Sequence, residues 1–184
     1  MNGIALPDPA SAEDLVIGVV IDVPEPAAGQ LRAYREEIGD PLVDAIPAHV
    51  TLLPPTAVDL ALVRDVERHL DKVAAALGPF EVRLDGADTF RPTSPVVYVR
   101  VAAGGEAFDE AQSAVRTGPL ARDLYFPFHP HVTVAHKLDD AAMDRAMSIL
   151  AGYHCAFVVD EFVLYEQGAD GAWRPRRRYA FGRG

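Results

Sequence analysis

The triplet His-Val-Thr occurs twice, as His49-Val50-Thr51 and as His131-Val132-Thr133, each within an apolar run. The longer copies read Ala48-His49-Val50-Thr51-Leu52-Leu53 and Pro130-His131-Val132-Thr133-Val134-Ala135. His fills 6 of 184 positions, and shuffling such a chain yields two His-x-Thr pairs in roughly one or two sequences per hundred. Both copies are rich in β-branched residues and bounded by prolines or polar turns, which predicts extended strand. Side chains alternate across a strand, so His and Thr stand on one face. Val50 and Leu52, or Val132 and Val134, then point the other way into a core. Two such pairs facing each other would surround a small anion with two imidazoles and two hydroxyl donors.

The surrounding chain suits a globular protein. The hydrophobic share is 49% and the charged share 24%, ordinary values for a folded soluble domain. The single cysteine, Cys155, excludes an internal disulfide and fits a reducing compartment. Residues 1–13 hold Pro7, Pro9, Asp8 and Glu13 without a basic start, which predicts a flexible leader and not a secretory signal. Apolar stretches are strand-sized, too short to span a membrane. A cytoplasmic location is the expectation. The net charge of −10 argues against a grip on long nucleic acid, which needs an extended basic surface. Fifteen Arg face two Lys, and five of the Arg (Arg174, Arg176, Arg177, Arg178 and Arg183) crowd the last eleven residues. That cluster reads either as a phosphate-binding patch or as a charged edge strand that resists aggregation.

Hydrophobic periodicity predicts strands at Leu15 to Ile21, His49 to Leu53, Phe80 to Leu84, Val96 to Val101, His131 to Ala135, Phe157 to Tyr165 and Arg174 to Phe181. Helices are expected at Pro24 to Glu37, Val58 to Leu77, Glu106 to Val115 and Asp139 to Leu150, the last capped by Asp139 or Asp140. Pro54-Pro55 is expected to end the first motif strand. Val19 precedes His49 by 30 residues and Val99 precedes His131 by 32, and each interval holds strand, helix, loop and motif strand. The chain therefore reads as an internal duplication. The predicted fold is α+β, a bilobal domain over residues 14–184 in which β-α-β units are related by a pseudo-twofold axis. Each lobe is an antiparallel sheet with helices outside, and the motifs line a central cleft.

The two motifs, about eighty residues apart in duplicated units, resemble the two-histidine (2H) phosphoesterase superfamily. Within it, His49 to Pro55 and Phe128 to Val134 are similar to the motif surroundings of the bacterial 2′-5′ RNA ligase-like and RNA cyclic phosphodiesterase branch. The resemblance implies a metal-independent phosphodiesterase site without cofactor. It also implies ligands that carry a 2′,3′-cyclic phosphate or a 2′-5′ linkage, namely small nucleotides or short RNA ends. His49 and His131 would be catalytic, and Thr51 and Thr133 would bind the phosphate. Opening a cyclic phosphodiester needs a base to activate water and an acid to protonate the departing ribose oxygen. Two imidazoles with ordinary pKa values of about 6.5 suit those roles at neutral pH. The Thr hydroxyls can hold the non-bridging oxygens. Where that branch often carries an arginine after the second motif, this chain has His136, with Lys137 next.

Two other readings compete. One is a module of the same fold that binds phosphate or nucleotide without turnover. The other is a metal-dependent hydrolase using His129, His131 and His136, since His-x-His on a strand is a workable ligand pair. Further substrate contacts are expected from His129, His136, Lys137 and Tyr125. Tyr125, Phe126 and Phe128 suit either base stacking or the core, and core is the preferred reading. His69 is expected on a solvated helix face. His154 is expected to make a local hydrogen bond.

Overall fold

A computed structural model describes residues 14–124 and 126–182. Eight strands form one antiparallel sheet: β1 (Asp14–Asp22), β2 (His49–Asp59), β3 (Phe80–Thr89), β4 (Val96–Ala103), β5 (His131–His136), β6 (His154–Val159), β7 (Glu161–Gln167) and β8 (Trp173–Ala180). Their order is β6-β3-β4-β5-β2-β1-β7-β8. Four helices accompany them: α1 (Ala27–Ile38), α2 (Val63–Ala76), α3 (Gly105–Val115) and α4 (Asp140–Leu150). Among the described residues no helix is long and apolar enough to cross a membrane. The expected leader, residues 1–13, lies outside the described residues.

The duplication is visible from the middle of the sheet outward. β2 and β5 meet at the centre, flanked by β1 and β4. The unit β1-α1-β2 thus answers to β4-α3-β5. The residues opposite the motif valines are Ile21 for Val50 and Val99 for Val132. Ile21, and not Val19, is therefore the counterpart of Val99. The two units interlock, because α1 packs against β5 and α3 against β2. Each helix lies beneath the motif strand of the other unit, and one core joins Leu31 of α1, Phe108 of α3, Val50 and Val132. Neither half can bury its apolar face alone.

Where the sequence signals are local, the elements follow them. Gly39 ends α1 at φ 84°, with its N–H bonded to the carbonyls of Arg35 and Glu36, a left-handed stop that only glycine adopts cheaply. Asp139 caps α4 by accepting from the Ala142 N–H at 2.7 Å.

Three boundaries differ. β2 does not stop at Pro54-Pro55 but runs to Asp59, with Thr56, Ala57 and Val58 paired to β1. Both prolines are exposed, and the ladder to β5 is confined to Val50 and Val132, so a missing N–H interrupts no central ladder. The helix expected from Val58 begins only at Val63. Residues 60–62 form a 3₁₀ turn in which Asp59 accepts from the Ala61 N–H at 2.8 Å. Leu62 is accordingly exposed and off the buried stripe of Val63, Val66, Leu70 and Val73. The run from Phe157 to Tyr165 is two strands, divided at Asp160. β6 pairs with β3, and β7 with β1, on opposite sides of the central seam. One residue spans only a few ångströms, so the far ends of the strand order come together and the sheet curls. The Phe181 N–H closes that corner on the Asp160 carbonyl at 2.7 Å.

Candidate active site

Val50 pairs with Val132 across the antiparallel seam, and both are fully buried. One step either side of that register, His49 lies beside Thr133 and Thr51 beside His131. All four side chains are only partly buried, on the face away from the helix-covered core. The two His–Thr pairs therefore form one cluster across the seam. Among the described residues neither Thr hydroxyl has a hydrogen-bond partner, so both remain available to a ligand.

The histidines are anchored alike. Nδ1 of His49 lies 2.8 Å from the Pro47 carbonyl oxygen, and Nδ1 of His131 lies 2.7 Å from the His129 carbonyl oxygen. A carbonyl only accepts, so Nδ1 carries the proton in each ring and Nε2 is left for a substrate. His154 repeats the contact, with Nδ1 at 3.2 Å from the Gly152 carbonyl, but that ring is exposed and has no threonine beside it. The anchor belongs to the way a strand begins, and the duplicated threonine is what sets the two motifs apart.

Electrostatically the pairs differ. Burial pushes both imidazoles below their usual pKa. The Pro47 carbonyl and the Asp22 carboxylate push His49 back up, while the Arg35 guanidinium pushes it down. Asp22 is the cross-strand neighbour of His49, held by the Tyr165 hydroxyl at 3.2 Å and by Arg178 at 3.4 Å. The carbonyl of His129 supports the proton on His131, but the imidazoles of His129 and His49 both oppose it. The cross-strand neighbour of His131 is Arg100, whose Nε donates to the Asp85 carbonyl at 3.0 Å. His131 also sits among rings, with Phe90 at 4.9 Å and Tyr98 at 5.2 Å between centroids.

A buried ion pair shapes the approach to His49. Arg35 Nε donates to Asp40 at 2.7 Å, and both side chains are 7% exposed. The same guanidinium bonds the Ile46 and Leu42 carbonyls, and Asp40 accepts from the Leu42 N–H. The loop between α1 and β2 is thereby fixed, and with it the Pro47 carbonyl that orients His49.

The model of the 2′-5′ RNA ligase superfamily matches residues 23–171, which include both motifs. The chain belongs to that superfamily. A Geobacillus kaustophilus protein provisionally named a phosphoesterase is 27% identical over 158 residues, covering 85% of this chain and 90% of its own length. Among solved structures, E. coli LigT complexed with NADP+ superposes with a TM-score of 0.72 at 23% identity, covering 92% of this chain and 99% of LigT. LigT complexed with 3′-AMP gives 0.69 at 21%, with the same coverage. These likenesses show the fold, a curled antiparallel sheet with four helices.

In this superfamily member, His129 adjoins the cluster through both its carbonyl and its ring, which lies 6.2 Å from that of His131. His136 and Lys137 do not converge on it. His136 ends β5, five residues from His131, which is about 16 Å along a strand. The charges that act on it are Lys137 and Asp40. Tyr125 lies outside the described residues. Phe126 is 67% exposed and is not core, whereas Phe128 packs against the core. His69 is not simply solvated. Its Nε2 lies 3.1 Å from the Val115 carbonyl, joining α2 to the end of α3, because those helices pack together. Among the described residues no three His, Cys, Asp or Glu side chains converge as metal ligands do. Sequence reasoning missed Asp22, Tyr165, Phe90 and Trp173, which reach the site from other strands and loops and carry no local motif.

Proposed function

We propose that this chain is a metal-independent phosphodiesterase that hydrolyses a 2′,3′-cyclic phosphate or a 2′-5′ phosphodiester in a nucleotide or short RNA end. The observation that carries the reading is the Val50–Val132 register, which sets two anchored imidazoles and two ligand-ready hydroxyls around one seam. Membership in a phosphoesterase superfamily supports it. So does the likeness to LigT, which has been crystallised with NADP+, 3′-AMP, ATP and phosphate.

In this mechanism water attacks phosphorus while one Nε2 takes its proton. The P–O bond to the ribose oxygen breaks, and the other imidazolium protonates that oxygen. Thr51 and Thr133 donate to the non-bridging oxygens, where charge is held in the transition state. Asp22 favours the protonated form of His49, whereas the neighbouring imidazoles disfavour it at His131. His49 is then the acid and His131 the base. Nothing in this scheme needs a Lewis acid.

Short ligands fit the charge distribution. In the edge strand β8, Arg174 pairs with Asp170, Arg176 with Glu67 and Glu166, Arg177 with Asp71, and Arg178 with Glu161 and Asp22. These Arg neutralise the protein's own carboxylates and do not form a basic track for RNA. The reading also takes residues 14–184 as one bilobal unit acting in the cytoplasm.

The test is a panel of 2′,3′-cyclic nucleotides, cyclic-phosphate RNA ends and 2′-5′ dinucleotides, with and without chelator. Turnover that survives chelation supports the proposal. Activity lost to chelator and restored by a divalent ion would replace it with a metal-dependent hydrolase. Binding without any turnover would leave a phosphate-binding module.

A further inference from the structure

Beside His49 the sheet opens into a cavity of about 180 Å³. Gly18 and Val20 of β1, Tyr165 of β7, Trp173 of β8, and Ile46 and Pro47 before β2 are among the residues that line it. His49 and Thr51 line it too, so it opens directly onto the proposed phosphate position. Cavities of about 150 Å³ with apolar walls take up a benzene-sized ring, which puts this one on the scale of a single flat ring system.

The shape depends on two features. The Trp173 indole lies over Gly18, whose Cβ position is in ordinary van der Waals contact with it, at 3.5 Å from Cζ3 and 3.8 Å from Cη2. Tyr165 has its hydroxyl committed to Asp22, at 3.2 Å from Oδ1 and 3.3 Å from Oδ2, so it offers the cavity chiefly its ring. Trp173 opens β8 and is held in place by the turn before it. There the Gly168 N–H bonds the Ala172 carbonyl at 2.9 Å, and Arg174 grips Asp170 at 2.6 Å. On the His131 side, Phe90 and Tyr98 pack on each other at 4.3 Å between centroids and both contact the His131 ring. The two flanks of the cluster are therefore unlike, and the cavity lies on the His49 flank.

We propose that this cavity is a stacking subsite for the nucleobase of the nucleoside that bears the reacting phosphate, held against the Trp173 and Tyr165 rings with little reading of its edges. The proposal rests on the phosphodiesterase reading above. Aromatic stacking tolerates every base because each has a π-face, and the Asp22 carboxylate in the lining is already shared by Tyr165 and Arg178.

Trp173 is the only tryptophan in the chain, so its fluorescence reports on the cavity directly. The four nucleoside 3′-monophosphates should quench it saturably, with Kd values within about fivefold of one another, and inorganic phosphate should not. Trp173→Ala should raise KM for 2′,3′-cyclic nucleotides about five- to hundredfold with kcat nearly unchanged, because ground state and transition state lose the same contact. Trp173→Phe should restore most of that loss. Quenching by phosphate alone, an unchanged KM in Trp173→Ala, or strong preference for one base would each overturn the subsite. If cyclic nucleotides are turned over while the nucleotides leave Trp173 unquenched, the subsite falls and the reaction stands. If no phosphodiester is cleaved but all four nucleotides quench saturably, the reaction falls and the subsite stands.

Discussion

Val50 and Val132 face each other at the one paired position between β2 and β5 among the described residues, and that contact fixes where both histidines stand. A slip of one residue would turn one motif's His and Thr toward the helices and its valine toward solvent. The full burial of both valines makes such a slip costly, about 1.5–3 kcal/mol for each side chain exposed. The site geometry is thus maintained by the core beneath it.

Replacing either His49 or His131 with alanine should lower turnover by roughly 10²–10⁴-fold and leave the thermal unfolding midpoint little changed. Each ring is a positioned proton-transfer group at a surface, not a packing element. Steady-state kinetics with circular dichroism checks this. A large loss for His49→Ala beside no loss for His131→Ala would exclude paired acid–base catalysis.

Thr51→Ala and Thr133→Ala should each cost less. Losing one hydrogen bond to a charged group is worth about 1.5–3 kcal/mol, roughly ten- to a hundredfold in kcat/KM. Loss of similar size at both positions is expected from their symmetry about the seam. Kinetics of the two single variants and the double variant would test it.

The pH profile of kcat/KM should be bell-shaped with both limbs on the acid side of free imidazole, because burial lowers the pKa of both His49 and His131. Asp22 raises His49 by favouring its charged form. Asp22→Asn therefore lowers the pKa of His49, and with His49 as the acid it is the alkaline limb that moves to lower pH. Movement of the acidic limb instead would reverse the two roles.

Arg35→Met should destabilise the fold by about 3–5 kcal/mol, because it leaves the Asp40 carboxylate buried without its partner. A urea titration with unchanged slope would measure this. The folded fraction should also show reduced kcat/KM, since the loop carrying the Pro47 carbonyl loses its anchor.

The duplicated His-x-Thr strands, the presence of four helices and the Asp139 cap were legible in the sequence because each rests on contacts within a few residues. Alternation placed His and Thr on one face, and Nδ1 of each histidine bonds a carbonyl only two residues back. Tertiary structure decided the rest. Whether Pro54-Pro55 ended β2 depended on how little of the seam β5 occupies. The break at Asp160 followed from β6 and β7 finding partners on opposite sides of the seam, within a β-rich run that holds neither glycine nor proline. Asp22, Tyr165 and Trp173 approach His49 from strands up to 124 residues away in sequence, and no local pattern marks them. The sequence by itself determined which residues share a strand face. Strand order and sheet curl decided which faces meet, because register and long-range pairing are settled by burying one common core.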